Sequence, residues 1–228
     1  MAPESLVIDW QETQNEAYLR LLESRLAERK LTWVSQFVEI INGAIANKIF
    51  DGIDSISVAD FGCNVGHFFR GIGDLSCGVS YHGFDISETY LSIARRTFGE
   101  EYFSCLDITS SVAGAQLSKS SISVISATLE HLVEFERAIE NIFLNTTHLV
   151  ILRTFVGAVS LAEQCKTNGA KTEYLIRQFT IDELVRIPLA LGWHYTEEID
   201  LATSGKTKLV CNSSSIPRAQ TLLVFRRV

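Results

Sequence analysis

The chain has 228 residues, of which 46% are hydrophobic and 21% charged, ordinary proportions for a globular protein. At this size folding hides roughly 70% or more of the surface that the unfolded chain exposes, so a full core needs no staples. The net charge of −7 gives no general pull toward phosphate backbones or anionic membranes, so neither a nucleic-acid nor a membrane partner is expected.

The first residues, "MAPESLVIDWQETQNEAYLR", lack a basic region followed by an apolar one, and no signal peptide is predicted. No uninterrupted apolar run reaches the ~18 residues of a membrane span. The five cysteines (Cys63, Cys77, Cys105, Cys165, Cys211) are odd in number and scattered, with no C-x-x-C pair, which points away from a disulfide frame or a zinc site. Cys63, Cys77 and Cys105 sit in or beside apolar runs and are expected to be buried as small hydrophobes. A reduced cytoplasm is the predicted compartment.

From Gln11 to about Phe50 the pattern is helical. Tyr18, Leu21, Leu22 and Leu26 recur at three- and four-residue steps, then Trp33, Phe37, Ile40, Ile41 and Ala44 do the same, predicting two helices with a break near Lys30–Leu31. Asp51-Gly52 closes this section with a turn signal. Short apolar runs then alternate with helical patterns: a strand over 56–61, a helix from about Gly66, and a strand over 81–85. Ser87 caps the next helix, which Gly99 ends. Strands follow over 101–107 and 121–127, then the helix "EFERAIENIFLN" and a fifth strand over 148–155. Residues 154–180 are expected to form a long connecting loop. Thr180 opens the helix "TIDELVRIPLALG", in which Pro188 predicts a kink or an early stop. "WHYTEEID" and "QTLLVFRRV" supply two last strands. The alternation predicts an α/β fold: a Rossmann-like, mostly parallel sheet with helices on both faces. Residues 1–52 are read as an N-terminal helical cap on a domain spanning 53–228.

In such sheets ligands bind beyond the carboxyl ends of the strands, where strand order reverses. The turn after the first strand, "DFGCNVG" from Asp60 to Gly66, lies there. Gly62 lets the chain leave the strand with no side chain between backbone and ligand, and Gly66 is expected to do the same at the helix start. Asp85 closes the second strand and Asp107 the third, placing one carboxylate for ribose hydroxyls and one for an exocyclic amine. A dinucleotide fingerprint wants G-x-G-x-x-G. Here the series from Gly62 meets Asn64 and His67, which argues against an NAD-dependent oxidoreductase.

The pattern Asp-x-Gly-x-Asn-x-Gly resembles motif I of class I S-adenosylmethionine-dependent methyltransferases, usually acidic-x-Gly-x-Gly-x-Gly, with Asn64 departing from the middle glycine. "YHGFDIS" resembles motif II, "CLDIT" the adenine-contacting strand end, and "VISATLEHL" motif IV of small-molecule members. The resemblance covers about Val58 to Leu152, and the final two strands fit the hairpin that gives the family its seventh, antiparallel strand. It implies S-adenosyl-L-methionine as cofactor, held by Asp60, Gly62, Cys63, Asn64, Gly66, Asp85, Ile86, Asp107, Ile108 and Thr128.

The implied chemistry is methyl transfer to a small-molecule acceptor, with O-methylation of a sugar or sugar-containing metabolite as the first reading. The alternatives are N- or C-methylation of a natural product, and a cofactor-binding homologue without catalysis. A hydroxyl acceptor wants a base, and His131, directly after the fourth strand, is the candidate, imidazole being suited to neutral pH. Its plain alternative is a helix-capping or loop-bonding role. Arg153, Tyr174, Arg177 and Gln178 are the candidate substrate wall, with Lys166 and Lys171 in the same stretch. His67 is expected to pack or meet solvent, and Trp10, Tyr18 and Trp33 of the N-terminal helices to close the other side of the pocket or to join the core. No metal is predicted, and a homo-oligomer is compatible with the reading.

Overall fold

The protein is described by a computed structural model covering residues 16–27, 31–165, 174–209 and 217–227. Trp10, Lys166, Lys171 and Cys211 lie outside the described residues.

The two opening helices are α1 (Glu16–Ala27) and α2 (Thr32–Ala46), as the periodicity predicts. Then come β1 (Ile56–Phe61), the single turn α3 (Phe69–Ile72), β2 (Val79–Asp85), α4 (Glu88–Phe98) and β3 (Phe103–Cys105). The short α5 (Ala113–Gln116), β4 (Ser120–Ser126), α6 (Phe135–Leu144) and β5 (Thr146–Val156) follow. The chain continues through β6 (Leu161–Cys165), β7 (Tyr174–Gln178), α7 (Ile181–Ala190), β8 (Trp193–Ile199) and β9 (Ala219–Arg227).

Seven strands form one sheet in the order β3-β2-β1-β4-β5-β9-β8. β1, β2, β3, β4 and β5 run parallel, while β9 is antiparallel to both β5 and β8. Strand order reverses beside β1, so the ends of β1 and β4 border the crevice where such sheets take ligands. Side chains alternate between two cores, as the strand period requires. On β5, Leu149 and Ile151 face one layer while Val150 and Leu152 face the other. On β9, Leu222 and Val224 divide from Leu223 and Phe225 in the same way.

The first layer takes Val34, Phe37, Val38, Ile41 and Ala44 from α2 and Leu91 and Ala94 from α4. The second takes Phe135, Ala138, Ile139, Ile142 and Phe143 from α6 and Leu184 and Val185 from α7. α1 reaches the body through Leu22 and Leu26, which pack on Val65, Tyr90 and Ile93, and through an ion pair of Glu23 with Arg96 at 2.6 Å.

Local signals act where the sequence places them. The Ser87 hydroxyl accepts from the Tyr90 N–H, and Thr180 and Glu183 form a reciprocal capping box on α7. Pro188 does not stop α7 at once. It stands in the last turn, and the helix ends two residues later. Three other expectations change. The first βα turn does not enter a helix at Gly66, since α3 starts only at Phe69. The stretch read as a loop over 154–180 carries the antiparallel pair β6–β7, Leu161 opposite Gln178 and Cys165 opposite Tyr174. Cys105 is exposed and Cys77 only part-buried, whereas Cys63 and Cys165 are buried.

Candidate active site

A cavity of about 590 Å³ runs along the carboxyl ends of the parallel strands, within the usual size of small-molecule sites. The turn after β1 forms its floor. Gly62 takes φ 73°, and the N–H groups of Gly62 and Cys63 both donate to the Phe84 carbonyl, at 2.7 and 3.0 Å. A Cβ on Gly62 would lie 2.1 Å from Thr128 Oγ1, so the glycine is required by the neighbouring strand end as well as by its own dihedral. Asn64 takes φ 55°, a left-handed conformation that asparagine tolerates better than most residues. That is the physical reason it can stand where the usual pattern has a second glycine. Its Oδ1 turns back to accept from the Val65 N–H at 2.8 Å.

Asp85 fixes this turn from the second strand end. Its Oδ2 accepts from the Asn64 N–H and its Oδ1 from the Ser87 N–H, both at 2.9 Å. Burial raises its pKa despite these bonds. Asp60 is buried and accepts from the Tyr81 hydroxyl at 2.8 Å. Burial carries its carboxyl up to about 7 against the Tyr81 bond, and the proximity of Asp85 adds to the rise. Asp107 is exposed at the rim, where its Oδ1 accepts from the N–H and hydroxyl of Thr109. Phe84, Ile86, Leu106 and Ile108 give the stretch between Asp85 and Asp107 an apolar lining.

The wall opposite is made by the end of β4. Ala127 takes φ 55°, a costly conformation for a residue with a Cβ, and its N–H donates to the Arg153 carbonyl. This sharp exit leads into a single helical turn, Leu129–His131, from which His131 lines the cavity. His131 Nδ1 lies 2.8 Å from the Leu175 carbonyl. A carbonyl only accepts, so Nδ1 carries the proton and the neutral ring keeps its lone pair on Nε2. Glu130, beside it, is buried and accepts from the Thr154 hydroxyl through Oε2 at 2.8 Å.

Nine of the ten residues read as cofactor-binding line this one cavity, together with His131 and Arg153. The exception is Gly66. A Cβ there would meet Phe98 at 2.9 Å and Phe103 at 3.2 Å, so its small size and φ of 88° serve packing beneath the turn. Arg153 is less available than a substrate cation would be. Its guanidinium grips Asp200, Nε to Oδ1 at 2.8 Å and Nη2 to Oδ2 at 3.2 Å, with both side chains buried. Tyr174, Arg177 and Gln178 do not line the cavity at all. Arg177 Nε donates to the Leu132 carbonyl at 3.0 Å, and Gln178 Nε2 donates to the Val159 carbonyl at 3.0 Å. Both are spent on backbone carbonyls that strand pairing does not reach.

The sequence reading allowed Tyr18 and Trp33 of the N-terminal helices to close the other side of the pocket, but it missed Leu22, Arg25 and Leu31 beside them. Tyr18, Leu22 and Arg25 of α1 close one side of the cavity with Leu31 and Trp33, and their spacing of four and three residues puts the first three on one helical face. His67 joins them. Burial draws its imidazole down to about 4, against a hydrogen bond to the backbone of Leu22. Among the described residues no group of three His, Cys, Asp or Glu side chains could hold a metal ion, and no helix is long and apolar enough to cross a membrane.

No protein-family model matches this sequence, and no curated protein does. Solved structures do match its fold. CalS10 from Micromonospora echinaspora, an amino pentose methyltransferase solved with S-adenosylmethionine bound, is 12% identical, with 94% of this chain and 98% of that one covered at a TM-score of 0.61. The magnesium protoporphyrin IX methyltransferase of Synechocystis PCC 6803, solved with S-adenosylhomocysteine, is 15% identical over 96% of this chain and 98% of that one, at 0.58. The [4+2]-cyclase SpnF is 15% identical over 83% of this chain and 80% of that one, at 0.54. The seven-stranded order with its antiparallel β9 is thus the fold of class I S-adenosylmethionine-dependent methyltransferases.

Proposed function

We propose that this protein is an S-adenosylmethionine-dependent methyltransferase acting on a hydroxyl of a small molecule, with a sugar or sugar-containing metabolite as acceptor. The observation that carries the reading is one cavity with the β1 turn, Asp85 and Asp107 at one end and His131 at the other. The residues present fit the cofactor. Asp85 keeps acceptor capacity for ribose hydroxyls beyond the backbone N–H bonds it already takes. Ile86, Leu106 and Ile108 offer an apolar slot for adenine, and Asp107 an acceptor for its amine. Asp60 suits the ammonium of the amino-acid tail, and Arg25 with Tyr18 its carboxylate.

When bound, the cofactor supplies a methyl group on positive sulfur, which departs as a neutral thioether with the C–S electron pair. The tasks left to the chain are to hold the acceptor in line, exclude water and receive a proton. His131 Nε2 takes the proton of the acceptor hydroxyl as its oxygen forms the new C–O bond. The Leu175 carbonyl supports this role, because the bond to Nδ1 leaves the basic lone pair on the other nitrogen. α1 and Trp33 cover the acceptor end.

The sugar assignment draws support from CalS10, an amino pentose methyltransferase, and from the polar group that His131 adds to the cavity lining. Incubating the protein with methyl-labelled cofactor and a panel of sugars and glycosylated metabolites tests it. Label transfer that His131→Gln reduces by about a hundredfold, with cofactor affinity retained, is the expected result. Undiminished transfer by His131→Gln removes it as base, and no transfer to any acceptor favours a cofactor-binding homologue without methyl transfer.

A further inference from the structure

We propose that Arg177 is a positioning residue for His131, holding the 129–133 turn against β7 so that the imidazole keeps its proton on Nδ1. The proposal rests on the reading of His131 as base. β7 pairs with β6 along one edge, Arg177 opposite Ala162 and Leu175 opposite Gln164. Its outward contacts go to the His131 turn. The Leu175 carbonyl takes the Nδ1 proton at 2.8 Å, and the Tyr174 ring meets the imidazole edge-on, centroids 5.6 Å apart.

Two residues along, Arg177 Nε donates to the Leu132 carbonyl at 3.0 Å and Nη2 reaches the Val133 carbonyl at 3.5 Å. The guanidinium also lies 5.3 Å from the centre of the Phe135 ring. These are the first carbonyls after the helical turn, whose own bonds end with the Leu132 N–H on the Leu129 carbonyl. A rigid planar fork is suited to holding two successive carbonyls, where lysine offers a mobile point charge. On the far side, the Thr154 hydroxyl holds Glu130 from β5. The turn bearing His131 is therefore pinned from both neighbours, and the β7 side touches the imidazole. Loss of Arg177 frees the turn to move off β7, which lengthens the His131–Leu175 bond and lets the proton redistribute between the ring nitrogens.

Nitrogen-15 NMR of histidine-labelled protein reads this directly, since the two tautomers give distinct ring-nitrogen shifts and His131→Gln assigns the signal. The expected wild-type spectrum shows His131 as the Nδ1–H form. Arg177→Ala should shift it toward a tautomer mixture and lower kcat about tenfold or more. The acceptor KM and the affinity for S-adenosylhomocysteine should stay within about twofold, because Arg177 does not line the cavity. Arg177→Lys should restore part of the signature. An unchanged His131 spectrum in Arg177→Ala overturns the proposal. If that variant does not fold, Arg177→Gln, which keeps one donor, carries the same readout. A moved spectrum with undiminished turnover in His131→Gln leaves the positioning intact and defeats the base assignment instead.

Discussion

Asp60 is the clearest case of a single residue carrying a cost at the site. Folding buries its carboxyl and raises its pKa to about 7, so between roughly pH 4 and 7 the folded state keeps a proton that the unfolded chain has released. Stability therefore falls as pH rises through that window, by on the order of 4 kcal/mol in full. Asp60→Asn keeps an acceptor for Tyr81 and removes the ionisation. It should raise the melting temperature at pH 8, give no gain at pH 4, and weaken S-adenosylhomocysteine binding if the carboxylate faces the ammonium. Equal melting shifts at both pH values would contradict the assignment. Gly62 gives a second test at this scale. Gly62→Ala meets both a φ of 73° and Thr128 Oγ1 at 2.1 Å. Thermal and denaturant unfolding should show it destabilised by at least 1–3 kcal/mol, the range for such strain.

Between elements, a buried ion pair ties Arg153 on β5 to Asp200 after β8. α2 holds the same segment, Gln36 donating to the Ile199 carbonyl and accepting from the Leu201 N–H. Burial alone would raise the Asp200 carboxyl, but the bonds from Arg153 and Thr203 outweigh it and hold it below its ordinary value. The stabilisation it contributes is complete above about pH 4 and is lost as pH falls through the folded value. Asp200→Asn leaves a buried guanidinium without its counter-charge, and urea unfolding should register a loss of about 3–5 kcal/mol. Thr180→Ala, which breaks the capping box of α7 outside the cavity lining, should cost only about 1 kcal/mol and leave cofactor affinity unchanged. His67 couples α1 to pH in the opposite sense to Asp60. Its folded pKa of about 4 lies below the unfolded value, so α1 should be held most firmly above pH 6.5 and loosen as pH falls toward 4. Limited proteolysis within 16–27 across that range measures it.

For the molecule as a whole, the sequence made the sheet legible because buried strands read as short apolar runs between turn signals, and the carboxylates at the ends of β2 and β3 stand where a ligand site needs them. The β6–β7 pair was not legible. Its strands have five residues each, and "LAEQC" alternates too weakly to separate a strand from a connection. Arg177 and Gln178 looked like ligands for the same reason that they are structural: polar groups near a strand end satisfy whatever lies nearest, and here that is backbone carbonyl. Asp200 could not be paired with Arg153 from sequence, since only the antiparallel return of β9 brings the end of β8 to β5. Leu22 and Arg25 were hidden because helical periodicity identifies a buried face without saying that part of it covers a cavity. The central claim, that this cavity takes an adenosyl sulfonium cofactor, is tested most directly by calorimetric titration of the wild-type protein with S-adenosylhomocysteine. The account predicts one site with a dissociation constant on the order of micromolar, weakened tenfold or more, about 1.4 kcal/mol, by Asp85→Asn in a variant that still melts cooperatively. A folded protein that releases no heat with millimolar ligand would contradict it.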